Sequence, residues 1–279
     1  MKAKINLEKE KQRGLSARLR ELHQSTRVLV LPNAWDVASA RIFEKAGFSA
    51  IGTTSAGIAF SMGFPDGQRI SRTAMLEVVG RIAARVSLPV TADMESGHGR
   101  SIGDVAETAR AVLEAGGVGI NIEDAGGDPG VHAAKIRAVR ETVDSAGVPL
   151  VINARVDLYL VNAGEAKERF DRTVERAAAY LKSAADCVFV PGVRDAEIIR
   201  RLISAIDGPV NMLAGPGAPT VAELERLGVR RVSVGSGPMR AALALTARIA
   251  RELLNDGTYR AFSDAMPYAE ANRLFEEVS

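Results

Sequence analysis

The chain has 279 residues, enough for one large α/β barrel or two smaller domains, and enough to bury a full core without disulfides or metal staples. Its 36 basic and 34 acidic residues nearly cancel, and no Lys/Arg run is interleaved with aromatics, which argues against a nucleic-acid partner. The one cysteine, Cys187, rules out an internal disulfide framework and fits a reducing, cytoplasmic setting; the charged start M-K-A-K-I-N-L-E-K-E is no secretory signal, and no apolar run spans a bilayer.

Residues 1–26 read as a helical segment placed to plug the bottom of a barrel. Strands are then predicted near Val28–Leu31, Ala50–Thr54, Pro89–Asp93, Val118–Glu123, Pro149–Ala154, Asp186–Val190, Pro209–Leu213 and Arg231–Gly235. Each is a short β-branched run followed by an amphipathic helical pattern, such as Ile102, Val105, Ala109, Val112 and Leu113. Further such faces are Phe170, Val174, Ala177 and Leu181, then Ile198, Leu202 and Ile206. Gly47, Gly116, Gly147 and Gly228 stand where helix C-caps need the left-handed conformation. The strands read as apolar on both faces, as helix-covered parallel strands should. Eight βα units without a linker predict a single (β/α)₈ barrel over residues 1–279, with a doubly wound open sheet as the alternative. The first turn, L-P-N-A-W-D, lacks G-x-G-x-x-G, so a dinucleotide fingerprint is absent. After a helix near Pro238–Leu254, residues 258–279 read as an extra C-terminal helix interrupted at Pro267, which suggests an oligomer.

A barrel of this type places its chemistry at the C-terminal strand ends. Asp93, Glu95 and Glu123 come from two adjacent ends, where three crowded carboxylates invite a hard divalent cation; the competing reading is that they cap helices, as Asp104 does. Arg155 is a clamp for a substrate carboxylate or a partner for a neighbouring acid. Thr54–Gly57 offers backbone N–H groups to an anion or is an ordinary turn. His98 is a base or a loop histidine. His132 and His23 have weaker claims, and Cys187 belongs to the core. Beyond the N-terminal tail, Lys45, Lys135, Lys167 and Lys182 all fall in predicted helices, which argues against a Schiff-base aldolase mechanism. Glycine turns at Gly215–Gly217 and Gly235–Gly237 are a weak phosphate signal.

These segments, in this order, resemble the isocitrate lyase / phosphoenolpyruvate mutase superfamily. The resemblance runs from L-P-N-A-W-D-V-A-S-A-R to V-P-G-V-R, and its specific part is T-T-S-A-G…G-F-P-D-G followed by A-D-M-E-S-G-H-G. Glu95 stands where the family form D-x-D-x-G-x-G has its second aspartate. The resemblance implies Mg²⁺ (or Mn²⁺) next to Asp93, with Glu95 and Glu123 as outer or water-mediated ligands. It gives Ser55, Ala56 and Gly57 to the substrate's carboxylate and enolate oxygens. Arg155 matches the substrate-binding arginine and Asp66 the aspartate near the reacting centre. It also implies tetramers in which terminal helices pack on a neighbouring barrel.

One departure bears on the reaction. Where the lyases carry a gating loop of K-K-C-G-H type, this chain reads E-D-A-G-G-D-P-G-V-H-A-A-K-I-R, with no cysteine and Lys135 well inside the next helix. That argues against standard isocitrate lyase, methylisocitrate lyase or phosphonopyruvate mutase activity. The expectation is a Mg²⁺-dependent lyase or decarboxylase acting beside a small 2-oxo or 2-hydroxy carboxylic acid, dicarboxylates included. It would work through an enolate, with His98 or Asp66 moving the proton. The alternatives are P–C bond hydrolysis or rearrangement of a phosphonate, and a non-catalytic barrel that binds a 2-oxo acid.

Overall fold

The computed structural model describes residues 2–276, with side chains from Leu7 onward; residues 277–279 of the expected C-terminal helix lie outside the described residues. Nine parallel segments form the sheet: β1 (Leu29–Leu31), β2 (Asn33–Ala34), β3 (Ile51–Thr53), β4 (Val90–Asp93), β5 (Gly119–Glu123), β6 (Val151–Arg155), β7 (Cys187–Val190), β8 (Val210–Leu213) and β9 (Arg231–Ser233). β1 pairs with β9 through Leu29↔Arg231, and β2 pairs with β3 through Asn33↔Gly52. They are two segments of one strand, parted at Pro32, which has no N–H for the ladder while its carbonyl still accepts from Gly52 N–H at 2.9 Å. Each remaining strand pairs with its sequence neighbour, so the eight expected strands close into a (β/α)₈ barrel.

Helices α2 (Val37–Lys45), α4 (Arg72–Ala83), α5 (Ile102–Glu114), α6 (Pro129–Ala146), α7 (Ala166–Lys182), α8 (Ala196–Ala205) and α9 (Val221–Arg226) surround the strands, and a short α3 (Ser55–Ser61) follows β3. Local sequence starts and stops them. Asp128 caps α6 by accepting from Val131 N–H, Pro129 opens its first turn, and Gly147 ends it at φ 75°. Gly47, Gly116 and Gly228 share that positive φ, as their positions predicted.

Alternate strand residues point to opposite faces. Ile120, Ile122, Ile152, Val188, Val190 and Met212 pack outward against helix residues such as Val112, Ile136 and Leu202. Each buried side chain of this size contributes about 1.5–3 kcal/mol. The inward positions depart from the expectation of two apolar faces. Thr91, Asn121, Asn153, Asn211, Arg231 and Ser233 are all buried there. Some of them bond to one another: Asn121 Oδ1 accepts from Asn153 Nδ2 at 2.8 Å and from Arg231 Nη2 at 3.2 Å, while Thr91 Oγ1, Asn153 Oδ1 and Asn211 Nδ2 are buried without a partner. The apolar core therefore lies between sheet and helices, and the barrel axis is polar.

Helix α1 (Lys2–Gln24) lies across the N-terminal end of the barrel, where Leu15, Leu19 and Leu22 pack with Leu29, Leu31, Val118 and Val151. Gln12 Nε2 donates to the Leu113 carbonyl at 2.7 Å, and Ser16 Oγ donates to the Pro149 carbonyl. At the other terminus, α10 (Gly237–Asn255) buries Met239 alone, and leaves Leu243, Leu253 and Leu254 exposed. The stretch expected to begin the C-terminal helix is a 3₁₀ turn, Arg260–Phe262. The Glu252 carboxylate draws it back by accepting from the N–H groups of Arg260 and Ala261, both at 2.7 Å, and helix resumes after Pro267 as α11 (Tyr268–Glu276). Among the described residues, no helix is long and apolar enough to cross a membrane.

Candidate active site

The C-terminal ends of β3 to β6 bring most of the predicted residues together. Asp93 closes β4. Its N–H is accepted by Thr53 Oγ1 at 2.9 Å, and its Oδ2 takes both donors of Ser55, the N–H at 3.0 Å and Oγ at 2.8 Å. Ser55 is thus bound to the carboxylate that the sequence placed next to a metal. Ala56 sits with it in the first turn of α3, and the N–H of Gly57 goes to the capping hydroxyl of Thr54 at 3.2 Å.

The chain then turns through Met94–Gly99, with Glu95 at φ 52° and His98 at φ 49°. Left-handed backbone at non-glycine residues costs on the order of 1 kcal/mol each and is held only where surrounding contacts fix it. Those contacts are present. Glu95 O accepts from Glu123 N–H at 2.8 Å, Gly97 O accepts from Thr108 Oγ1 at 2.7 Å, and Ser96 O accepts from Lys135 Nζ at 3.2 Å. Lys135, although inside α6, reaches back to this loop.

Glu95 is 5% exposed, and its Oε2 has no hydrogen-bond partner. Burial, then the nearby Asp93 and Asp66 charges, push its carboxyl up to about 7, against the pull of the Gln68 and Gly67 backbone. Glu123, at the end of β5, is pushed up to about 8 by burial, although Arg155 pulls it down. Arg155 donates from Nη1 to Glu123 Oε2 at 2.7 Å and from Nε to Asp157 Oδ1 at 2.6 Å, and its guanidinium lies 5.9 Å from the centre of the Phe189 ring. The carboxylate-partner reading of Arg155 is therefore realised, and neither contact uses Nη2. His98 Nε2 is buried without a partner, and burial lowers the ring's pKa while Asp93 pulls the other way. Asp66 lies on the exposed loop between α3 and α4 and accepts from its neighbour Gly67 N–H at 2.9 Å.

The oxygen donors suit a hard cation, and Glu95 Oε2 is a buried oxygen left over by the protein. Among the described residues no three acidic, His or Cys side chains close on one point to hold an ion by themselves. The residues fit an ion bound directly by Asp93, with Glu95 and Glu123 reached through water, since Mg²⁺ keeps several waters.

A second cluster stands behind Arg155. Asp124 Oδ2 accepts from Arg176 Nη1 at 2.6 Å and from Tyr180 OH at 2.7 Å; its Oδ1 accepts from the N–H groups of Gly126 and Asp157 at 2.9 and 3.1 Å. The connection from β5 to α6 is thereby tied into a tight turn, with Ala125 and Gly126 both at positive φ. Sequence reading missed Arg176 and Tyr180. The available signal was their i, i+4 spacing beside Thr173 and Ala177, the buried stripe of α7. His132 packs edge-on against Tyr180 at 4.7 Å, where burial lowers its pKa to about 4, and His23 is buried under the barrel beside Arg231. Cys187 is buried, with its thiol pushed up to about 12 by burial.

Comparison with known proteins identifies the family. A protein of Mycobacterium tuberculosis without an assigned activity is 38% identical over 90% of this chain and 93% of its own length. A 2-methylisocitrate lyase of Halalkalibacterium halodurans is 27% identical, covering 96% of this chain and 91% of the lyase. A crystal structure from Burkholderia cenocepacia J2315, provisionally named a lyase/mutase, superposes with a TM-score of 0.90 at 38% identity, covering 96% of this chain and 98% of that one. The phosphoenolpyruvate phosphomutase family profile matches residues 19–254, and the chain belongs to the isocitrate lyase / phosphoenolpyruvate mutase superfamily.

Proposed function

We propose that this protein is a cytoplasmic, homotetrameric carbon–carbon lyase or decarboxylase. It would act beside the carbonyl or hydroxyl of a small 2-oxo or 2-hydroxy carboxylic acid, dicarboxylates included, in the presence of Mg²⁺ or Mn²⁺. The supporting observation is that one barrel mouth holds Arg155 paired with Glu123 together with Glu95 Oε2, which is buried and unpartnered. The relationship to a 2-methylisocitrate lyase supports the bond type.

Asp93 would hold the cation, with Glu95 and Glu123 orienting its water. A bound divalent ion supplies a Lewis acid that favours negative charge on the substrate's 2-oxygen. Arg155, fixed from behind by Asp157, directs its remaining nitrogen at the substrate carboxylate. Ser55 holds Asp93 Oδ2, which restricts that carboxylate to one rotamer. When the carbon–carbon bond breaks, its electron pair becomes an enolate, and a proton must then reach carbon. The β5–α6 turn carries no cysteine or lysine for this, so the step would fall to His98, whose neutral ring would first take a proton from the substrate hydroxyl or from water and then pass it to carbon, or to Asp66 on its exposed loop in the same two-step role.

The test is calorimetric titration with pyruvate, oxaloacetate, 2-oxoglutarate, oxalate and phosphonopyruvate, with and without Mg²⁺, joined to product analysis. Metal-dependent binding and cleavage of a 2-oxo acid is the expected result. Turnover of phosphonopyruvate alone would move the reaction to P–C chemistry, and binding without turnover would make the barrel a sensor.

A further inference from the structure

The two halves of the barrel mouth differ in chemistry. Register and pleat fix which residues face the axis. Asp93 is level with Asn121, Glu123 with Arg155, and Arg155 with Phe189. Phe189 is level with Asn211, and Leu213 with Ser233. The topmost inward side chains are therefore Asp93, Glu123 and Arg155 on β4–β6, then Phe189 on β7 and Leu213 on β8. Beyond β9 the chain runs to Gly235, where an added Cβ would lie 3.2 Å from Leu213 Cδ1, so bare backbone borders that leucine. Asn33 Oδ1 fixes this backbone by accepting from the N–H groups of Val234 and Gly235 at 2.9 and 2.8 Å.

No inward position of β7 or β8 carries a charge. Arg231, on β9, is fully buried below the mouth and bonded to Asn121. Arg194, on the loop after β7, is exposed and lines a separate cleft with Gly217, Pro219 and Arg226, which shares no residue with the mouth. A substrate whose carboxylate meets Arg155 would extend its far end toward Phe189 and Leu213. A second carboxylate there would lose water and gain no cation, whereas an alkyl group would gain contact area.

We propose that Phe189, Leu213 and Gly235 form an apolar subsite for an uncharged alkyl group on the 2-oxo acid unit. Leu213 then sets the preference for aliphatic monocarboxylic over dicarboxylic 2-oxo acids. This rests on the metal-and-Arg155 reading of the site and deepens it. The relevant pair is 2-oxovalerate and 2-oxoglutarate, which have the same number of carbons and differ in a terminal methyl against a carboxylate.

The experiment is competition against oxalate in the presence of Mg²⁺, followed by calorimetry. Oxalate engages only the metal and Arg155 end and so tests the underlying reading. The expected result is that oxalate binds and 2-oxovalerate outcompetes 2-oxoglutarate by at least about tenfold, with about fourfold gained per methylene from pyruvate to 2-oxobutyrate. Leu213→Arg should invert the preference, and Leu213→Ala, a milder change in case the arginine variant misfolds, should weaken 2-oxovalerate relative to 2-oxoglutarate. Oxalate binding with 2-oxoglutarate equal or preferred would overturn the subsite and leave the metal-and-Arg155 reading intact. No oxalate binding would remove that reading and the subsite with it.

Discussion

Glu95→Gln keeps the size of a buried side chain and removes its titration. In the metal-free protein, the Glu95 carboxyl rises from 4.5 to about 7, chiefly through burial. At about 1.4 kcal/mol per pH unit, that interval amounts to about 3 kcal/mol. The sign follows from proton binding. Between these values the folded state holds a proton that the unfolded state has released, so stability falls as pH rises. The contribution is complete below pH 4.5, drains between 4.5 and about 7, and is absent above. Urea unfolding of chelator-treated wild type and Glu95→Gln at pH 4.5, 6 and 8 measures it. Groups common to both proteins cancel in the difference. The wild type should lose about 3 kcal/mol relative to the variant from pH 4.5 to 8, and Mg²⁺ should restore more stability at pH 8 to the wild type than to the variant. A difference that stays constant across this range would refute the claim that Glu95 is a desolvated carboxyl awaiting a cation.

Three further outcomes are expected. Asp93→Ala should abolish Mg²⁺-dependent oxalate binding in calorimetry while far-ultraviolet circular dichroism stays unchanged; an unaltered Mg²⁺ titration would remove Asp93 from the metal site. Asp124→Ala leaves Arg176, 5% exposed, without its carboxylate and should cost about 3–5 kcal/mol in denaturant unfolding, against about 1 kcal/mol for Tyr180→Phe; equal small losses would show that the cluster does not act as an ion pair. Light scattering at micromolar concentration should give a tetramer mass, and Leu243→Glu with Leu254→Glu on the exposed face of α10 should lower it; a monomeric wild type would end the oligomer reading.

The fold was legible because its signals are local and repeated. Each strand is a β-branched run, and Gly47, Gly116, Gly147 and Gly228 mark the helix ends where the chain must turn left-handed. The polar axis was not legible, because Asn121, Asn153, Asn211 and Arg231 gain their partners only when the strands align. The mouth was readable in kind: Asp93, Glu95, Glu123 and Arg155 stand at strand ends. Their internal pairing was not, since Ser55 on Asp93 and Asp157 on Arg155 depend on side-chain placement across strands. Lys135 illustrates the limit. Its sequence position puts it inside a helix, yet a long side chain carries its ammonium to Ser96. The C-terminal helix after Pro267 was legible, but the stretch before it was not, because Glu252 recruits backbone donors from eight and nine residues away, which no helical periodicity encodes.

Enolate formation is the central claim, and it can be observed without knowing the natural substrate. Pyruvate and 2-oxobutyrate incubated with the protein and Mg²⁺ in deuterium oxide should lose the proton signals of carbon 3, followed by nuclear magnetic resonance. The rate should exceed that of buffer with Mg²⁺, and exchange should disappear with chelator or in Asp93→Ala. Binding of either acid without exchange above the buffer rate would contradict the account: the barrel would then hold 2-oxo acids without activating them.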